Sequence, residues 1–319
     1  MSTSQTILVT GATGFVGRRL CSHLAEHGHR VIVLVRAGGR AIPGVAQEVR
    51  IADFTQLDAL DTLLPQCDAV IHLAGRAHVM RDTAADPLGE FRRVNVGLTR
   101  SLLERAANAR VKRFVFVSSI GVNGNSNITP FSEQDTPAPH DLYAISKLEA
   151  EQLVQDMAQQ YGMEYAIVRP VLVFGPEAPG NFGTLLRLAA KGWPLPFGRL
   201  QSKRSLISVW NLADFLRTCA TCPQVLRDVF LAADAQTVTL PEIFRHLAIG
   251  MGKTARLLAI PRSLLALACT LVGKRQMLDK LDAGLTVDIT KAQQQLAWHA
   301  PYTTAEALIK TGKEYTHTS

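Results

Sequence analysis

Ile7-Leu-Val-Thr-Gly11-Ala-Thr-Gly14-Phe-Val-Gly17 places three glycines at GxxGxxG spacing, between a short apolar run and the helix-like stretch Val16–His27. Glycine permits the tight turn such a junction needs and lets backbone N–H groups approach a pyrophosphate at a helix N-terminus. The stretch therefore predicts a dinucleotide cradle formed by Gly11, Thr13, Gly14, Phe15, Val16 and Gly17. Its setting gives the motif weight. Starting from Thr6–Thr10, the runs Val31–Val35, Ala69–Leu73, Phe114–Ser118 and Ala166–Arg169 alternate with helix-like stretches such as Val94–Asn108 and Leu142–Gln160.

Continuous apolar runs mark strands buried on both faces, and strand–helix alternation marks a parallel sheet with right-handed crossovers. The expected fold class is α/β, a doubly wound parallel sheet (Rossmann) that binds ligands beyond the carboxyl ends of its strands. After Pro170 the alternation stops: Pro176–Asn181 and Trp193–Gly198 are loops, and mostly helical segments follow. We therefore expect a dinucleotide-binding domain over 1–170 and a smaller, mostly helical substrate-binding lobe over 171–319. Phe230-Leu-Ala-Ala is one more strand, so 203–234 is expected to return to the first domain.

With 319 residues, 47% hydrophobic and 19% charged, the chain can bury a core without staples and is not disordered. The net charge of +7 suits an anionic small molecule, and no nucleic-acid recognition motif accompanies it. Five scattered cysteines fit a reducing cytoplasm, and the single CxxC, Cys219-Ala-Thr-Cys222, reads as helix packing; no metal site is expected. Met1-Ser-Thr-Ser-Gln runs straight into Ile7 with no basic region, so no signal peptide is expected. Ser263–Val272 is too short to span a bilayer; between Pro261-Arg262 and Lys274-Arg275 it reads as a buried helix, with peripheral membrane contact the lesser alternative.

The second strand ends Val33-Leu-Val35-Arg36, where an NAD-specific fold keeps a carboxylate for the adenosine ribose. Arg36 can instead pair with a 2′-phosphate, which predicts NADP(H), with NAD(H) as the alternative. Tyr143-Ala-Ile-Ser-Lys147 opens a helix, and residues four apart share a face. A unit charge roughly 4 Å from a phenolate contributes about 4 kcal/mol at an effective dielectric near 20. Lys147 is thus expected to draw the phenol of Tyr143 toward neutrality, where it can exchange protons. Phe114-Val-Phe-Val-Ser118-Ser119 brings two hydroxyls to a strand end that flanks the same crevice.

Together, GxxGxxG, the serine strand and YxxxK resemble the extended short-chain dehydrogenase/reductase family, in its nucleotide-sugar epimerase/dehydratase/reductase branch. The likeness runs nearly the whole chain: Asp53-Phe54, Leu73-Ala74-Gly75, Asn95-Val-Gly-Leu-Thr99, Arg169-Pro170 through Gly175, Lys203-Arg204 through Asp214, and Asp288-Ile-Thr-Lys-Ala292 with Leu296-Ala-Trp298. The resemblance implies Tyr143 as general acid/base, Lys147 as its activator and nicotinamide-ribose ligand, and Ser119 as the catalytic serine, assisted by Ser118. It also implies cofactor contacts from Asp53, Phe54, Leu73, Ala74, Gly75, Asn95, Val117, Arg169 and Pro170, and substrate contacts from Asn181 and from Arg204 on a UDP diphosphate.

Two departures narrow the branch. The serine strand continues Val122-Asn123-Gly124 where the family usually has Val-Tyr-Gly, and no Asp-Glu pair follows the serine, which argues against a 4,6-dehydratase. Ser118-Ser-Ile-Gly-Val-Asn-Gly124 and Pro137-Ala-Pro-His-Asp-Leu-Tyr143 are similar to bacterial UDP-4-keto-6-deoxy-N-acetylhexosamine 4-reductases (UDP-N-acetylquinovosamine dehydrogenase-like). These lie close to proteins labelled UDP-glucose 4-epimerases. The leading expectation is an NADP(H)-dependent 4-ketoreductase of such a UDP-sugar. A UDP-hexose or UDP-N-acetylhexosamine 4-epimerase with tightly held NAD is the alternative, and a non-catalytic NADP(H)-binding regulator the third. A homodimer through Leu98–Asn108 and Leu142–Gln160 is implied by family likeness.

Overall fold

The computed structural model describes residues 4–39, 41–53, 56–77, 86–271, 273, 275 and 282–318. The expected strands are present as β1 (Thr6–Thr10), β2 (Arg30–Arg36), β4 (Ala69–His72), β5 (Arg113–Val117) and β6 (Glu164–Pro170), joined by β3 (Gln47–Ile51). Short strands β7 (Leu172–Phe174), β8 (Lys203–Arg204), β9 (Leu206–Ser208) and β11 (Val238–Thr239) belong to the second half, while β10 (Arg227–Ala232) pairs in parallel with β6. Among the described residues the main sheet has seven parallel strands in the order β10-β6-β5-β4-β1-β2-β3. The order reverses between β1 and β4, the position where such sheets open a ligand crevice.

The helices are α1 (Phe15–Glu26), α2 (Pro87–Arg92), α3 (Leu98–Asn108), α4 (Leu142–Tyr161), α5 (Gly180–Lys191), α6 (Val209–Thr221), α7 (Leu240–Gly250), α8 (Arg262–Leu271), α9 (Thr290–Leu296) and α10 (Thr304–Thr318). Side-chain alternation along the strands divides the core. Ile7, Val9, Val31 and Val33 pack with Leu20 and Leu24 of α1 and with Leu212 and Leu216 of α6; Leu8, Ile32, Phe114 and Phe116 pack with Leu102 of α3 and Val154 of α4. A third cluster around Phe174, Phe182, Phe244 and Leu308 holds the lobe. Ala292, Leu296 and Trp298 come back from the C-terminal region to the first of these clusters. Among the described residues no helix is long and apolar enough to cross a membrane.

Candidate active site

The first loop of the fold forms a cleft of about 510 Å³ together with the carboxyl ends of β2 and β4. Gly11, Thr13, Gly14, Arg36, Asp53, Leu73, Ala74 and Gly75, all expected to meet cofactor, line it. Gly11 has φ +71°, and a Cβ there would stand 2.7 Å from the Ala74 nitrogen; a Cβ on Gly17 would stand 2.1 Å from the Gly11 carbonyl oxygen. Gly11 thus serves turn and close approach, and Gly17 the packing of α1 on its own loop. Gly14 caps α1 through backbone only, so the first-turn N–H groups have no side-chain cap from it. A glycine-punctuated loop ahead of amides without a side-chain cap fits a dinucleotide diphosphate. Phe15 packs on the lobe cluster and Val16 on the sheet cluster, so the start of α1 bridges the two. Phe54 lies outside the described residues.

A buried relay ties this cleft to the rest of the site. The Ala74 N–H donates to Thr10 Oγ1 (3.2 Å), and Thr10 Oγ1 lies 2.6 Å from His72 Nδ1. Thr99 Oγ1 stands 3.0 Å from His72 Nε2 and donates to the Asn95 carbonyl at 2.6 Å. One assignment satisfies all four contacts: Thr10 donates to Nδ1, and the imidazole is neutral with its proton on Nε2, donating to Thr99. Burial, then the charge of Lys147, pushes His72 down to about 3, in keeping with that neutral ring. Asn95 sits in the π-helical turn Arg93–Gly97. Its Oδ1 accepts from the Arg76 N–H (2.7 Å), and its Nδ2 donates to the Arg76 carbonyl (3.2 Å) and to Ser146 Oγ (2.9 Å) on α4. It therefore clamps the loop after β4 onto the helix of Tyr143.

Asp141 starts α4 by accepting from the Ala144 N–H at 2.7 Å. This puts Tyr143 and Lys147 on the first two turns. Lys147 Nζ donates to the carbonyl of Val117 at the end of β5 (2.8 Å) and lies 4.5 Å from the centre of the Phe116 ring. A Cβ on Gly75 would be 3.5 Å from that ammonium, so the cofactor loop and the lysine meet. Ser119 Oγ accepts from the Gly121 N–H (3.1 Å). A Cβ on Gly121 would lie 3.3 Å from Ser119 Oγ and 3.5 Å from Ala144 Cβ, so the serine abuts the first turn of α4. Ser119 thus abuts the helix that carries Tyr143 and Lys147, and Lys147 reaches the cleft loop at Gly75.

The electrostatics differ from the sequence expectation. Burial, with the Asp141 charge adding to it, raises the Tyr143 phenol to about 12. Burial lowers Lys147 to about 8, against a smaller upward pull from Glu151. The ammonium is committed to the Val117 carbonyl, and desolvation of the phenol governs Tyr143. The phenol therefore holds its proton at neutral pH.

Next to these residues lies a network the sequence reading did not include. Arg169 donates through Nε (2.9 Å) and Nη2 (2.6 Å) to the two carboxylate oxygens of Glu151, and through Nη1 to Asn123 Oδ1 (2.9 Å). Ser118 Oγ also donates to Glu151. Ser118 and Arg169, expected to meet substrate and cofactor, thus both bind Glu151, which stands four residues beyond Lys147 on the same helical face. Pro170 is buried at the end of β6. Asn181 is exposed on the first turn of α5. Arg204, on β8, is partly buried and donates to the Ala283 carbonyl at 3.2 Å; burial holds its guanidinium below the usual range. The cleft also takes in Arg76 and Arg93, cations that no motif pointed to.

Residues 7–228 match the NAD dependent epimerase/dehydratase family. The chain belongs to that family. Within it, the chain is 38% identical over 315 residues to a UDP-glucose 4-epimerase of Vibrio cholerae, covering 98% of this chain and 95% of the relative. A solved structure of MoeE5 in complex with UDP-glucuronic acid and NAD is 26% identical, with a TM-score of 0.76 over 98% of this chain and 99% of that one. The UDP-N-acetylglucosamine 4-epimerase of Bacillus cereus shares the fold at 22% identity, with a TM-score of 0.78 over 98% and 99% of the two chains. The nucleotide-sugar branch of this epimerase family is therefore where the chain sits, and it is an enzyme of the short-chain dehydrogenase/reductase type.

Two other groups of potential metal ligands read as structural. His23, His27 and Asp214 form one cluster at ligand spacing among the described residues. Asp214 is already used, accepting from Arg217 Nη2 (2.8 Å) and Trp298 Nε1 (3.0 Å) and lying 3.1 Å from His23 Nε2. Cys219 is buried and Cys222 receives Arg113 Nη1 at 3.3 Å; burial raises both thiols, which keeps them protonated.

Proposed function

We propose that this enzyme works at carbon 4 of a UDP-linked hexose or N-acetylhexosamine, as a 4-epimerase. What carries the reading is Lys147 meeting the Gly75 loop of the cleft, four residues after Tyr143 on α4, in a chain alike along nearly its whole length to a UDP-glucose 4-epimerase. The dinucleotide diphosphate would rest on the glycines of the first loop, and Gly75, Asn95 and Lys147 would meet its nicotinamide half. A nicotinamide bound there supplies and accepts hydride. Ionised by loss of its own proton to solvent, Tyr143 would take the proton of the 4-hydroxyl as the ketone forms and return it as the ketone is reduced, while Ser119 donates a hydrogen bond to the same oxygen. Lys147, fixed by the Val117 carbonyl, holds a positive charge beside the developing oxyanion. Arg204 binds the diphosphate from the lobe. On this reading the cofactor is NAD, as bound in the MoeE5 complex, and it stays in the crevice through turnover.

Two observations favour the 4-ketoreductase as a second reading. Arg36, Arg76 and Arg93 line the cleft, and cations there suit the 2′-phosphate of NADP(H). Tyr143 rests with its proton on, the form from which ketone reduction starts. A homodimer through the outer faces of α3 and α4 belongs to either reading and is checked by sedimentation.

Stoichiometry separates the two. An epimerase interconverts gluco and galacto forms of UDP-glucose or UDP-N-acetylglucosamine without net cofactor consumption. If it does not, and one NADPH is oxidised per UDP-4-keto-6-deoxy-N-acetylhexosamine consumed, the reductase reading replaces it.

A further inference from the structure

The substrate lobe carries a surface that the crevice does not use. Between Glu177 and Asp214 the chain has Arg187, Lys191, Arg199, Lys203 and Arg204 and no carboxylate; between Glu242 and Asp279 it has Arg245, Lys253, Arg256, Arg262, Lys274 and Arg275, and again none. These stretches hold 11 of the 34 Lys and Arg and none of the 27 Asp and Glu, so the net charge of +7 arises here and the rest of the chain is net acidic.

Folding joins the two stretches into one ledge. The Leu195 N–H donates to the Arg256 carbonyl and the Leu258 N–H to that of Leu195, both at 2.8 Å, and α8 begins shortly after. Large apolar side chains face outward along it: Trp193 is 59% exposed, Leu258 50%, Leu264 57% and Leu267 59%. On α8, Leu265 and Ala266 are buried while Leu264, Leu267 and Ala268 form the outer face. Lys191, Lys253, Arg256 and Arg262 of the same two stretches are exposed too; Lys191 lies 4.5 Å over the Trp193 ring, and Arg262 is paired with Asp282. Asp282 also accepts from Ser202 Oγ (3.1 Å), two residues before Arg204, so the ledge adjoins the substrate strand.

We propose that this ledge docks on the surface of an anionic lipid bilayer. Trp193, Leu258, Leu264 and Leu267 enter the boundary between headgroups and acyl chains, where indole and leucine side chains with flanking cations settle. The basic side chains meet lipid phosphates, each strengthening binding roughly fivefold near an anionic surface. Charge chooses the occupant. A second copy of the same ledge would set cation against cation, and a small anion would leave four large apolar side chains in water. At ten residues α8 is too short to cross the bilayer, so the contact is peripheral. The proposal does not depend on which reaction the crevice performs.

The test is co-sedimentation of the full chain with vesicles of phosphatidylcholine and phosphatidylglycerol in equal parts, against phosphatidylcholine alone. We expect at least tenfold stronger binding to the anionic vesicles, falling steeply with added salt. Trp210 and Trp298 are buried, so a blue shift of tryptophan emission on binding reports Trp193 and is lost in Trp193→Phe. Leu264→Glu with Leu267→Glu should weaken vesicle binding at least tenfold while thermal stabilisation by NAD or NADP stays unchanged. No binding to anionic vesicles, equal binding to neutral ones, or undiminished binding of the double variant overturns the proposal. So does a dimer in sedimentation that Leu264→Glu dissociates, which would assign the ledge to a second copy.

Discussion

At the catalytic end of the crevice, Ser118, Lys147, Glu151 and Arg169 are each 4% exposed or less, and each is held by a named neighbour. At the other end, Arg36 and Asp53 are exposed and the Arg93 side chain is 61% exposed, paired with Glu90 on the surface. Buried charges act strongly and only in fixed geometry, because removing one partner leaves the other desolvated. Exposed charges are screened and tolerate substitution. One crevice therefore has an end whose charges are buried and fixed and an end whose charges lie at the surface.

Four experiments would break or sharpen that contrast. Tyr143→Phe removes the proton but keeps the ring, which packs edge-on against Phe91 at 6.3 Å. Turnover should fall by about 10²–10⁴-fold with cofactor binding near normal; retention of activity within a few-fold would exclude the phenol as the acid. Arg169→Met breaks the buried pair and should cost about 3–5 kcal/mol in urea unfolding, whereas Arg36→Met should cost well under 1 kcal/mol. Equal costs would erase the distinction between the two ends.

The third concerns pH. Lys147 is lowered to about 8 in the folded protein, below the unfolded value, so its ammonium predominates at pH 7 and is lost as pH rises through about 8. Turnover should drop about tenfold per unit above that point, with roughly one decade lost by pH 9. For stability the sign is opposite. The unfolded chain binds more protons between about 8 and the ordinary lysine range, so this lysine makes stability rise with pH there. A rate profile flat to pH 10 would remove Lys147 from the reacting centre. The smallest effect is expected from Arg36→Ala, about fivefold in the ratio of NADPH to NADH affinity, as befits an exposed charge pair. No change in that ratio, by titration, would place cofactor choice on other residues.

Much of the site could be read from the chain because its signals are local. The Gly11 turn, the first turn of α4 and the end of β5 each depend on backbone geometry within a few residues. β3 escaped detection because Gln47-Glu-Val-Arg-Ile51 is half polar, as suits an edge strand, and only its pairing with β2 defines it. Glu151 escaped for a related reason: a lone carboxylate on a helix looks solvated until Arg169 arrives from β6, eighteen residues on. Arg76 and Arg93 enter the cleft only because Asn95 and the π-helical turn bring their segments to its rim.

By itself the sequence determined the strand–helix alternation, the glycine cradle and the serine–tyrosine–lysine set, since periodicity, φ freedom and spacing are properties of short segments. Tertiary structure alone decided which charges are buried and what they touch. It held Lys147 on the Val117 carbonyl, raised Tyr143 rather than lowering it, and sealed Glu151 with Arg169. It also joined two carboxylate-free stretches far apart in the chain into one basic ledge. Desolvation is the physical reason: a group's proton affinity and the worth of its charge depend on what surrounds it in space, and the order of residues does not encode that directly.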